Sequence, residues 1–98
     1  MESIVQAKRV LEIFKEMSRI PRESGNEKGI SDYIVNFAKH LGLEVHQDEI
    51  FNVVIKKAAS PGYENRPSII LQGHIDMVCV KDHDSNHDFS KDPIANII

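Results

Sequence analysis

The sequence holds a single cysteine, Cys79, so no disulfide can form within it. That usage fits a reducing compartment. No apolar run approaches the ~20 residues that a helix needs to cross a bilayer, so a membrane partner is not expected. A basic face is also lacking: the net charge is -3, and the one basic cluster is Lys56-Lys57. A nucleic-acid partner is therefore not expected either, because nothing offsets a phosphate backbone. Met1-Glu2-Ser3 is acidic and leads into an amphipathic segment, unlike the basic start of a signal peptide. The expected location is cytoplasmic. Internal repeats and low-complexity tracts are absent.

The 98 residues suffice for one small domain, of a size that is marginally stable without help. Apolar residues at 41% and charged residues at 28% place it among soluble globular chains. Ser3 and Gln6 have the spacing of a capping box. Ala7, Val10, Leu11, Phe14 and Met17 then recur with helical period, and Lys8, Arg9, Glu12, Lys15 and Glu16 fill the other face. This predicts a helix over about 4–18, stopped by Pro21. "PRESGNEKG" reads as a loop. Asn26 is the expected N-cap of a second helix over about 27–41, with the apolar stripe Ile30, Tyr33, Ile34, Phe37, Ala38 and Leu41. Gly42 sits where a helix-ending glycine belongs.

The period then changes to two. Leu43 and Val45 alternate with Glu44 and His46, which predicts a half-buried strand over about 43–48. "EIFN" makes a turn into a second strand, about 53–57, paired with the first as a hairpin. "AASPGYENRP" is an exposed loop. "SIILQ" is continuously apolar, which predicts a third strand over about 68–73, central and covered on both faces. Residues 81–98 form a polar tail that ends on "IANII". The expected fold class is α/β, with helices packed on a mixed sheet of three or more strands. The tail supplies no helix to cover the second face of "SIILQ", so the chain is expected to be the N-terminal piece of something longer.

The chemistry concentrates in "LQGHIDMV". Side chains two apart on an extended segment share a face, so His74 and Asp76 project together just past the expected core strand. Ligands of open α/β sheets gather at such strand ends. Gly73 would allow a backbone geometry or close approach that a side chain blocks. Imidazole is the commonest metal ligand, and its second nitrogen needs a partner such as a carboxylate. The pair therefore reads as half of a metal or acid/base site. The bland alternative is a solvated pair at a strand end.

Other candidates carry less. "DHDSNHD" alternates Asp82, Asp84, Asn86 and Asp88, but a calcium loop starting there would need Gly and Glu where His87 and Pro93 stand. His83 and His87 would bind zinc together on a helix, which Asp, Ser and Asn disfavour there. His40 suits a helix C-terminus, and His46 suits an exposed strand position. Cys79 reads as a small packed residue. "SGNEKG" lacks the Lys-Ser/Thr ending of a phosphate loop.

Four segments resemble, in order, metallopeptidase family 20: "PRESGNEKGISDYIVNFAKHLGLE", "NVVIKK", "LQGHIDMVCVK" and "HDFSKDPI". The last two are especially similar to the aminoacyl-histidine (Xaa-His, β-alanyl-histidine) dipeptidases. The resemblance spans nearly the whole sequence, and family members are several times longer. It implies that residues 1–98 are an incomplete N-terminal portion of a zinc-peptidase catalytic domain. It makes His74 a ligand of one metal in a two-zinc centre, with cobalt or manganese as alternatives, and Asp76 the carboxylate that supports His74. The bridging aspartate, the Glu-Glu pair with the general base, a further carboxylate and a distant histidine have no counterpart in these 98 residues. The implied substrate is a dipeptide ending in histidine, and the 98 residues alone are expected to be inactive. Two rivals stay open: a non-enzymatic α/β interaction module that kept the scaffold, and a structural fragment that forms homo-oligomers through an unprotected sheet edge and tail.

Overall fold

The computed structural model describes residues 2–96. Two helices are followed by one hairpin. Helix α1 is Glu2–Ser18 and helix α2 is Lys28–His40. Strands β1 (Glu44–Gln47) and β2 (Val53–Lys56) pair antiparallel, with Val45 opposite Ile55.

Both helices cover the segments that their periodicity predicts, but their starts differ from expectation. Ser3 lies inside α1 and does not cap it. The N-cap of α2 is Glu27, not Asn26. The Glu27 carboxylate turns back to accept the Gly25 N–H at 2.6 Å, which leaves the helix without a side-chain cap. The far end of α2 follows the glycine rule. Gly42 adopts φ +72, its N–H donates to Lys39 O, and Leu43 N–H donates to Ala38 O. These are the two bonds of a Schellman ending, and they turn the chain into β1.

Helix α2 lies against both strands. Ile30 and Ala38 are its buried apolar residues. Ser31, fully buried, donates to Phe51 O at 2.9 Å and accepts from Gln47 Nε2 at 2.7 Å, so the helix is tied to both sides of the hairpin turn. The alternation read for β1 holds: Leu43 and Val45 are half-buried, and Glu44 and His46 are exposed. Helix α1 does not pack on the sheet as expected. It leaves Val10, Leu11 and Phe14 exposed, and is joined to α2 by the Tyr33 hydroxyl donating to Glu16 at 2.6 Å.

The hairpin turn is organised by one carboxylate. Asp48 accepts from the N–H groups of Ile50 and Asn52 and from the Asn52 side-chain amide. Phe51 then takes φ 70, a conformation costly for a bulky side chain and held here by its bond from Ser31. The Asn52 bonds hold the Asp48 carboxyl below its ordinary value of 3.8. Gln47 and then Lys28 do the same for Asp32, which faces the hairpin from α2. A carboxyl depressed in the folded state stabilises above its unfolded pKa, and that contribution is lost as pH falls through the folded value. The hairpin should therefore loosen from α2 below about pH 4. Amide spectra of Asn52 and Gln47 between pH 5 and pH 2 would show it. Asp48→Asn should flatten the Asn52 response and leave the Gln47 response, which follows Asp32; hairpin signals that stay constant to pH 2 would refute the role.

The third expected strand is not formed. Residues 68–73 lie outside any strand, and the described residues contain a two-stranded sheet, not one of three or more. Ile69, Ile70 and Leu71 are 84%, 89% and 93% exposed. The apolar run is real, but a strand needs a neighbour for its N–H and C=O groups, and no described segment lies beside it. The resulting radius of gyration, 16.4 Å, exceeds the ~13 Å of a compact chain this long. Residues 97 and 98 of the "IANII" tail lie outside the described residues. Ile94 N–H reaches back to Ser18 O at the end of α1, at 2.8 Å.

Candidate functional site

His74 and Asp76 lie together, though not at the end of a strand. The His74 Nδ1 is 2.9 Å from the Asp76 carbonyl oxygen and 3.1 Å from Asp76 Oδ1. Both partners are acceptors, because a carbonyl has no proton and the carboxyl is ionised. Nδ1 must therefore carry a proton, and in the neutral ring the lone pair lies on Nε2. The His74 side chain is 82% exposed, so Nε2 faces solvent, whereas the Asp76 side chain is 33% exposed.

The other carboxylate oxygen of Asp76 is held from far away in sequence. Ser24 Oγ donates to Asp76 Oδ2 at 2.6 Å. This bond is the main reason that the Asp76 carboxyl sits below its ordinary value; partial burial opposes it, and His74 adds a smaller lowering. Ser24 comes from the loop between α1 and α2. Glu23 and Met77 form an isolated parallel bridge, in which Ser24 N–H donates to Met77 O at 3.1 Å and Met77 N–H to Arg22 O at 2.8 Å. The segment that carries the pair is thus fastened to the helical part beside the pair itself.

An open groove of about 770 Å³ runs past the pair, lined by Glu27, Ile34, Phe51, Leu71, His74 and Asp76 among others. Gly73 lines it too, but has neither a left-handed φ nor any atom within 4 Å of where a Cβ would stand. The close approach that Gly73 would allow is absent among the described residues.

The donor set fits one part of a metal centre. A neutral imidazole with Nδ1–H fixed by a carboxylate and Nε2 free is the form in which histidine binds a metal. The described residues contain no group of three or more His, Cys, Asp or Glu side chains able to enclose an ion. The remaining histidines stay apart. His83 pairs with Asp84 at 3.3 Å in solvent, and the His87 ring packs edge-on against Phe89. His46 lies beside Glu44 on β1. The Cys79 thiol contacts Met77 O at 3.5 Å. Ser24 was not legible as a site residue: it lies 52 positions from Asp76, in a stretch that reads only as a loop.

No family model matches the chain. It is 45% identical over 87 residues to the cytosol non-specific dipeptidase of Escherichia coli (strain K12), covering 89% of this chain and 18% of that one. It is 29% identical over 83 residues to a probable carboxypeptidase of Emericella nidulans, covering 79% of this chain and 19% of the relative. The fold matches the crystal structure of aminoacylhistidine dipeptidase from Vibrio alginolyticus with TM-score 0.84 and 44% identity, over 89% of this chain and 18% of that one. The chain spans about a fifth of the length of each of these proteins. Over the segment that it matches, the chain is similar in sequence to a cytosol non-specific dipeptidase and in sequence and fold to an aminoacylhistidine dipeptidase.

Proposed function

We propose that these residues are one limb of a longer cytoplasmic zinc dipeptidase that hydrolyses dipeptides ending in histidine. The observation that carries the proposal is the state of His74: its Nδ1 is committed to Asp76, and its Nε2 is left to solvent on an exposed loop. His74 would hold one ion of a two-metal site, and Asp76 would fix the ring's tautomer and direction. When bound, the metal pair supplies Lewis acidity and a water acidic enough to attack near neutral pH. The groove beside His74 gives a dipeptide an approach with an apolar wall, Ile34, Phe51 and Leu71, and the carboxylates of Glu27 and Asp76. The similarity to two dipeptidases and a probable carboxypeptidase supports peptide hydrolysis, and the name of the Escherichia coli relative supports the cytosol. The preference for a C-terminal histidine is supported by the aminoacylhistidine dipeptidase likeness alone.

The limb by itself should be inert. One imidazole and one carboxylate cannot close a zinc site. With excess zinc and a histidine-terminated dipeptide, the 98-residue chain is expected to give no turnover above a metal-only blank. The longer enzyme should turn over and lose that activity to a chelator. Turnover by the 98 residues, or a chelator-insensitive enzyme, would overturn this reading. A second reading is favoured by the exposed run Ile69–Leu71: as a separate molecule, the chain is a structural fragment that associates with its own copies.

A further inference from the structure

We propose that Ser24 is a positioning residue for the His74–Asp76 pair, a role that rests on the metal-ligand reading of His74. A carboxylate turns easily about its last torsion, whose profile is broad and two-fold. Asp76 is prevented from turning because each oxygen has its own donor: Ser24 Oγ on Oδ2 at 2.6 Å, and His74 Nδ1 on Oδ1 at 3.1 Å. The single Ser24 proton has one alternative acceptor, Met77 O at 3.4 Å, which is neutral and farther away. The bond to the charged carboxylate wins on both counts. Fixing Oδ2 sets the plane of the carboxylate, and that plane aims Oδ1 at the imidazole. The loop before α2 thereby adds to the bias over which ring nitrogen of His74 is protonated, beside the Asp76 carbonyl at 2.9 Å from Nδ1, and does so from 50 residues upstream in sequence (74 less 24).

The attachment of the loop is separable from this role. The Glu23–Met77 bridge uses backbone groups only, so removing the Ser24 hydroxyl leaves both of its hydrogen bonds intact. The test uses the 98-residue chain without metal. The ring nitrogen shifts of His74 are measured by 15N-correlated NMR at alkaline pH, where imidazole is neutral, in wild type, Ser24→Ala and Ser24→Thr. Amide exchange of Met77 is followed in the same samples. Ser24→Ala is expected to lower the ratio of Nδ1–H to Nε2–H tautomers roughly threefold, the size expected when one hydrogen bond to a charged group stops orienting its partner. Met77 protection should be unchanged, and Ser24→Thr should restore the wild-type ratio. An unchanged ratio in Ser24→Ala overturns the proposal. So does a ratio that moves only together with lost Met77 protection, which would make Ser24 a structural clasp. The readout needs no metal, so it stands or falls apart from the reading of His74 as a ligand.

Discussion

His74→Ala is expected to empty one metal site of the zinc dipeptidase proposed above and to abolish its activity, while metal-free stability hardly changes. The stability half follows from exposure. Within the 98 residues the His74 side chain is 82% in solvent, so its removal leaves no buried group unsatisfied there, and such changes stay within about 0.5 kcal/mol. The metal half follows from the lone pair on Nε2, which nothing else among the described residues replaces. Asp76→Ala should behave differently. Its carboxylate orients the ligand without holding the ion, so metal affinity or activity should fall by about 10- to 100-fold and more zinc should remain bound than in His74→Ala. Ser24 loses its acceptor in that variant, but at an exposed position where water replaces it. Metal content, activity and apo-protein melting, measured on both variants, separate the roles. Retained zinc and activity in both, or simple unfolding of both, would remove His74 and Asp76 from the site.

The local pattern of the fold was legible because its causes are local. The apolar stripe of α2 and Gly42 act within one helix and its exit, and the alternation from Leu43 to His46 acts within one strand. Three features were not legible. The N-cap moved to Glu27 because a carboxylate found the Gly25 N–H, a competition that residue spacing does not reveal. Helix α1 has an amphipathic pattern but no partner for its Val10, Leu11 and Phe14 face among the described residues. The run "SIILQ" has the composition of a central strand, yet strand formation depends on a neighbour that composition does not supply. The site divides in the same way. His74 and Asp76 are two apart and announce themselves, whereas Ser24 reaches Asp76 only through a long-range bridge.

The exposed run is expected to drive association of the 98-residue chain in solution. Ile69, Ile70 and Leu71 stand side by side with almost all of their surface in water. Burying one such side chain is worth about 1.5–3 kcal/mol, so two copies that bury three each gain roughly 9–18 kcal/mol. Association costs about 4–15 kcal/mol in lost freedom and ordering. The mid-values leave about 4 kcal/mol, association near millimolar concentration, helped by unpaired backbone groups that a second extended segment can satisfy. The chain is therefore expected to sediment as a growing fraction of dimer or larger species as its concentration rises toward millimolar. The double substitution Ile70→Asp and Leu71→Asp should return it to a monomer, because four carboxylates would meet at the contact in place of four apolar side chains. Both substituted positions are exposed and outside any helix or strand, so α2 and the hairpin should keep their amide spectrum. Sedimentation velocity across a concentration series decides it. A wild-type chain that stays monomeric at high concentration, or a variant that associates equally well, would show that this run does not drive assembly.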